Sequence, residues 1–190
     1  MQTFSWNLQL VEEGAEATSI LASIATPLAF ILVPLGFGLW QLAAAAITGF
    51  IAKENVVGTL AVVFGITNFI DVEALELVSG TAEISSIMGI TSVAALAYLV
   101  FNLFTPPCFA AIGAMNAELE SKKWLFGAIG FQLGMGYTLA YFIYQVGTLI
   151  TTGQFGNGLV LGLLIVLVYI GSIIYLIKRN DQSRMTLQGA

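Results

Sequence analysis

The chain has 190 residues, of which 58% are hydrophobic and 9% charged, with a mean hydropathy of +0.92 and a net charge of −5. A soluble domain carries about 25% charged residues, so this composition describes an integral membrane protein: an all-α, polytopic helical bundle of about four to six spans in one domain. A single cysteine excludes an internal disulfide, the lack of histidine removes the commonest transition-metal ligand, and six basic residues exclude a nucleic-acid surface.

Residues 1–17 carry Glu12, Glu13 and Glu16 without a lysine or arginine, which is unlike a secretory signal. Phe4, Trp6, Leu8 and Leu10 alternate with Ser5, Asn7 and Gln9, the pattern of a short extended or interface-lying segment. Residues 18–177 form the membrane domain, drawn as about five segments, some broken or re-entrant. The first, Ile20 to Trp40, is punctuated by Pro27, Pro34 and Gly36-Phe37-Gly38. The second, Gln41 to about Ile70, carries Lys53-Glu54 in its middle, and the third runs from about Ile84 through Pro106-Pro107 to Ala117. Trp124 to Ile150 and Leu159 to Ile177 read as plain spanning helices, and the polar residues 178–190 as a disordered tail.

Loop charges orient this drawing. Lys122 and Lys123 follow the third segment, and Lys178, Arg179 and Arg184 follow the fifth, which places both regions on the cytoplasmic side. The opposite side holds the N-terminus, the loop with Asp71, Glu73, Glu76 and Glu83, and Thr151 to Asn157, with no basic residue. Trp40, Trp124 and Tyr175 fall at the inner boundary, as interfacial anchors should. The expectation is an outward N-terminus and a cytoplasmic C-terminus. An outward start without a leader implies something upstream, as in a split-gene product or a piece of a larger protein.

Two places carry chemistry. Lys53 and Glu54 each cost about 2.5–3.5 kcal/mol at the centre of a span, so each needs a partner or a wet cavity. They point about 100° apart on a helix and cannot simply neutralise one another. Prolines at 106 and 107 remove the amides that would meet the carbonyls of Asn102 and Leu103, four residues back. A bilayer cannot satisfy those oxygens, so the break must be buried in protein or line a polar cavity, and it brings them near the Cys108 thiol. Such a broken span marks a substrate or ion site in many transporters. Cys108 can be a soft ligand or a small packing residue. Met115, seven residues on, shares roughly its face if the helix resumes, and packing is the simpler role for it.

Tyr137, Tyr141 and Tyr144 fall within roughly 60° of one another on a helix, with Gln145 beside them and Gln132 opposite. A polar helix–helix seam is preferred to a substrate lining there. Gly130/Gly134 and Gly158/Gly162 are spaced for close helix contact. No phosphate-binding loop, Ser/His/Asp set or zinc cluster is present, so the chain by itself is not an enzyme.

Several of these motifs, taken in order, resemble the second gate region of the bacterial ferrous-iron transporter B (FeoB) family. They are Pro34-Leu35-Gly36-Phe37-Gly38, Ile47-Thr48-Gly49 and Ala52-Lys53-Glu54-Asn55-Val56-Val57-Gly58-Thr59-Leu60, then Phe101-Asn102-Leu103 through Pro107-Cys108-Phe109-Ala110-Ala111-Ile112, Lys123-Trp124 and Gln132. The resemblance covers roughly residues 4 to 150, beginning with Phe4-Ser5-Trp6 and Ser19-Ile20-Leu21. It implies the gate part of an Fe²⁺ permease, multi-pass in the bacterial inner membrane. Fe²⁺ would be cargo rather than a prosthetic group. GTP would act only through a GTPase domain or separate GTPase subunit that, with the first gate half, is missing from this chain. Cys108 matches the gate cysteine proposed to meet iron, and Lys53-Glu54 match the polar pair of the gate helix. Asn102, Pro106, Pro107 and Met115 are the further pathway or gating candidates. The doubled proline is a local variation. The partners implied are the bilayer, Fe²⁺ and the GTPase, with self-association open. Two rivals stand: a nucleoside-recognising gate-type transporter, and a non-transporting membrane partner subunit.

Overall fold

The computed structural model describes residues 19–53, 55–64, 70–71, 76–77, 88–106 and 108–188. The N-terminal segment 1–17 and most of the acidic loop, including Glu73 and Glu83, lie outside the described residues.

Helix α1 (Ile20–Leu32) starts on Ser19, whose hydroxyl accepts a hydrogen bond from the Ala22 amide at 3.1 Å, as a helix start requires. Pro27 lies inside α1 without breaking it, whereas Pro34 sits in the single 3-10 turn Val33–Leu35 that ends it. Gly36 then takes the left-handed conformation at φ 84°, and a side chain there would also strike the Tyr144 ring. Only glycine fits. Helix α2 (Trp40–Ile51) departs at 103° to α1, which makes the first segment and the start of the second a bent, re-entrant-like pair.

The second segment is not one helix. α2 ends at Ala52, which is extended (φ −154°, ψ 117°), and α3 (Asn55–Val63) begins just beyond Lys53. Two short antiparallel strands, β1 (Ile70–Asp71) and β2 (Glu76–Leu77), pair Ile70 with Leu77 and Asp71 with Glu76. The third segment is also divided, into α4 (Ser92–Phe104) and α5 (Phe109–Leu119), while α6 (Lys122–Thr152) and α7 (Leu159–Gln188) are continuous.

Among the described residues, Ser92–Leu119, Lys122–Thr152 and Leu159–Arg179 are long and apolar enough to cross a membrane, and the α1–α2 pair makes a fourth if read as one broken span. The helical membrane bundle with broken segments is therefore what the structure contains. One boundary differs. The polar residues after Ile177, expected to be a disordered tail, continue the α7 backbone to Gln188; nothing between Gly171 and Gly189 is a glycine or proline that would stop it.

The core forms where α4 packs along α6 and the α1–α2 turn inserts beside them. Ala97 and Ala140 are fully buried, and a side chain on Gly136 would meet the Phe101 carbonyl, so small residues let α4 and α6 approach closely. Phe37, at the tip of the turn and fully buried, sets its ring 5.1 Å from Tyr98 edge-to-face and 5.7 Å from Phe101. Long apolar side chains on α7, such as Val160, Val168 and Ile177, are exposed, as a lipid-facing helix allows.

The tyrosine face of α6 is a structural seam. Tyr137 donates its hydroxyl to the Ile31 carbonyl (3.1 Å) and Tyr141 to that of Leu159 (2.9 Å). The Gln145 amide nitrogen donates to the Pro34 carbonyl (3.1 Å) while its oxygen accepts from the Gly156 amide (3.0 Å). The Tyr144 ring fills the space over Gly36 and Gly156. Of the small-residue pairs, Gly158 and Gly162 pack on Pro34, and Gly134 lies under the Tyr169 ring, but Gly130 has open space around it.

Gln145→Leu leaves the Pro34 carbonyl and the Gly156 amide unpaired, at a cost of about 2–4 kcal/mol. Thermal unfolding in detergent should show a midpoint lower by about 5–10 °C. Gln132→Leu should leave the midpoint unchanged or raised, because the buried Gln132 Oε1 has no hydrogen-bond partner among the described residues. Equal midpoints for Gln145→Leu and wild type would mean that Gln145 does not seal the turn.

Candidate functional site: the break between α4 and α5

α4 stops at Phe104, and Thr105 leaves the helix in an extended conformation (φ −66°, ψ 157°). Pro106 follows, fully buried, and Cys108 is the N-terminal cap of α5. The break lies near the middle of the Ser92–Leu119 stretch. Pro106 has no amide hydrogen to give the Asn102 carbonyl, and Thr105, having left the helix, turns its own carbonyl elsewhere.

These oxygens converge on one donor. The Lys53 ammonium donates to the carbonyls of Asn102 (2.7 Å), Thr105 (3.0 Å) and Leu103 (3.3 Å). The Thr105 hydroxyl adds a bond to the Asn102 carbonyl at 3.0 Å. Asn102 folds its own amide back on the Tyr98 carbonyl (2.9 Å), which holds the last turn of α4 together. Each side of this contact answers the other's need: the lysine has a polar seat on an apolar bundle, and the carbonyls have a hydrogen donor that lipid could not supply.

Lys53 reaches this position because two helix breaks lie side by side. The Phe50 ring, one turn before Lys53, meets the Phe109 ring edge-to-face at 5.3 Å, joining the end of α2 to the start of α5. The Cys108 thiol is half-buried, free, and within electrostatic reach of the Lys53 ammonium. Lys53, Asn102, Pro106 and Cys108 are thus brought together. Met115 is not: it lies about 10 Å further along α5. Glu54 and Pro107 lie outside the described residues.

Sequence reasoning missed Thr105 and a polar cavity on the α2–α3 side of the break. The cavity, about 280 Å³, is lined by Thr48, Ile51, Asn55, Gly58 and Thr59. The Thr48 and Thr59 hydroxyls are hydrogen-bonded at 2.8 Å. A second cavity of about 300 Å³ is apolar, lined by Leu28, Ile47, Phe50 and Phe101 among others, and reaches Thr105. Among the described residues no three His, Cys, Asp or Glu side chains cluster as metal ligands. What the break offers a cation is main-chain oxygen, with one sulfur, that of Cys108, within electrostatic reach of the lysine those oxygens hold.

A family profile described as "Gate: Nucleoside recognition" matches residues 10–122, which span both breaks. The chain belongs to the Gate family. Among curated proteins, the Gate chain is 31% identical over 133 residues to a protein named Fe(2+) transporter FeoB from Staphylococcus aureus (strain COL), covering 69% of this chain and 18% of the relative. It is 30% identical over 136 residues to the protein of that name from Methanocaldococcus jannaschii, covering 70% of this chain and 18% of the relative. It is also 31% identical over 123 residues to an Fe(2+) transport protein A/Fe(2+) transporter FeoB fusion protein from Porphyromonas gingivalis, covering 63% and 14%. The resemblance to the FeoB gate portion read from the sequence therefore stands. The chain spans about a fifth or less of the length of these relatives. No solved structure matches it.

The half-buried Cys108 of the Gate chain should react with charged aqueous methanethiosulfonate reagents without denaturant. The anionic reagent should react several-fold faster than the cationic one, because the Lys53 ammonium is near, and Lys53→Gln should remove that preference. Labelling that needs denaturant, or that ignores reagent charge, would contradict this placement.

Proposed function

We propose that this chain is the C-terminal permease, or gate, part of a ferrous-iron uptake transporter, with the α4–α5 break as the constriction that Fe²⁺ passes. The observation that carries this reading is the convergence of the Asn102, Leu103 and Thr105 carbonyls beside the free Cys108 thiol. The names of the relatives support the cargo. A borderline-soft divalent ion can exchange hydration water for carbonyl oxygens and a sulfur. A conducting site must bind weakly enough to release, so few ligands suit it.

Cys108 and the freed carbonyls would act as transient ligands. Glu54, next to Lys53, would offer a carboxylate or hold a gating pair with it. GTP binding would act from a domain or subunit outside this chain by shifting gate populations, so the chain itself would not be an enzyme. The relative fused to Fe(2+) transport protein A makes a protein of that kind a reasonable partner. The lysine and arginine distribution supports an inner-membrane orientation with the N-terminus outside and the C-terminus cytoplasmic.

Nucleoside recognition, the wording of the family description, is less well supported. The polar cavity offers hydrogen-bonding groups, but among the described residues its lining has no aromatic ring on which a base could stack.

Cys108→Ser in the complete transporter should lower Fe²⁺ uptake in iron-starved cells by about tenfold or more, since a lost ligand costs at least what a lost supporting partner does. Unchanged uptake at normal expression removes Cys108 from the mechanism. Nucleoside uptake that follows expression while iron uptake does not would favour the other substrate.

A further inference from the structure

We propose that Lys53 is a tethered cation: its ammonium occupies the ion position of the gate and has to be displaced before a divalent cation can be held there. This rests on reading the chain as an Fe²⁺ gate, and it assigns Lys53 the part of resident competitor rather than ligand or simple cap.

Three observations carry it. First, the ammonium is coordinated as a small cation would be, by three main-chain oxygens of one broken turn at 2.7, 3.0 and 3.3 Å. A transition-metal ion needs oxygen at about 2.0–2.2 Å, so metal and ammonium would claim the same space, and like charge keeps them from sharing it. Second, Lys53 is placed to leave. It stands in the interruption between extended Ala52 and the start of α3 at Asn55, on a flexible four-carbon stem. Third, a second seat is at hand. The 280 Å³ cavity at the same interruption presents the Thr48 and Thr59 hydroxyls and the Asn55 amide. An ammonium needs acceptors wherever it goes; the Asn55 side-chain oxygen supplies one, and the Thr48 oxygen, which donates to the Ala45 carbonyl and is bonded to Thr59, keeps a lone pair for another.

The gate then closes without a moving helix. With Lys53 on the carbonyls, the position already holds one positive charge and its oxygens are engaged. When Lys53 swings toward Thr48 and Asn55, the carbonyls and the Cys108 thiol become available together. Rotation about the bonds of the Lys53 side chain would be enough, which gives a distant regulatory domain a low-cost element to bias.

The test uses the wild-type chain in nanodiscs under anaerobic conditions with Fe²⁺ as the only added metal. Two readings are made by mass spectrometry: acetylation of Lys53 by an aqueous amine reagent, and alkylation of Cys108. Displacement predicts that Fe²⁺ slows Cys108 alkylation and, over the same concentrations, speeds Lys53 acetylation several-fold, with Lys122 and Lys123 unchanged. Protection of Cys108 with Lys53 acetylation unchanged or slowed overturns the displacement while leaving the iron gate intact. No effect on either residue overturns both. As a second measurement, Lys53→Leu should lower the Fe²⁺ concentration that half-protects Cys108 by about tenfold, the equivalent of one charge-assisted hydrogen bond, whereas Lys53→Arg should not. An unshifted concentration in Lys53→Leu counts against displacement.

Discussion

A helix cannot be broken inside a bilayer unless something donates to the carbonyls it leaves behind, and in this chain the donor at the central break is the Lys53 ammonium. The lysine would cost about 2.5–3.5 kcal/mol at mid-span on its own, and orphaned carbonyls are likewise unfavourable. Meeting, they offset one another. The first break, at the α1–α2 turn, is sealed differently. There α6 supplies the neutral Gln145 amide and the Tyr137 hydroxyl to the Pro34 and Ile31 carbonyls. Neutral donors on a continuous helix make a fixed joint. A charge on a long stem, rooted in a second break, makes one that can be undone.

The remainder of the fold holds the second joint in place. Phe37 at the tip of the first turn packs on Tyr98 and Phe101, so the re-entrant turn braces the helix that leads into the central break. Tyr98 also donates to the Leu42 carbonyl at 3.2 Å, joining α4 to α2. The Phe50–Phe109 contact then sets the two interruptions against each other. Gate function, on this account, needs a rigid frame on the α6 side and freedom on the α2–α3 side.

The features visible in the sequence were those that act locally. Pro106-Pro107 marked the break and named Asn102 and Leu103 as the carbonyls it frees; the tyrosine spacing on α6 marked a seam; Lys53 was flagged as needing a partner. The meeting of Lys53 with those carbonyls was not legible, because about 50 residues separate them and tertiary contacts, Tyr98 on Leu42 and Phe50 on Phe109, close that distance. The interruption at Ala52 was hidden in an apolar run with no proline. Core faces were hard to read for a related reason: lipid-facing and buried residues are equally apolar, so hydrophobic periodicity does not separate Leu42 from Leu99, one buried and one exposed.

The central claim is that Lys53 exists to satisfy the carbonyls freed by the prolines. It is tested most directly by a double-mutant cycle on thermal unfolding of the purified chain. Replacing Pro106 and Pro107 together by alanine restores the missing amides and lets α4 run toward α5. Lys53→Leu should then be destabilising in the wild-type background, by about 1–3 kcal/mol for part-buried carbonyls left unpaired, and nearly neutral in the Pro106→Ala/Pro107→Ala background. An equal cost in both backgrounds would show that Lys53 is held by something other than the broken helix, and the account of the gate would not stand.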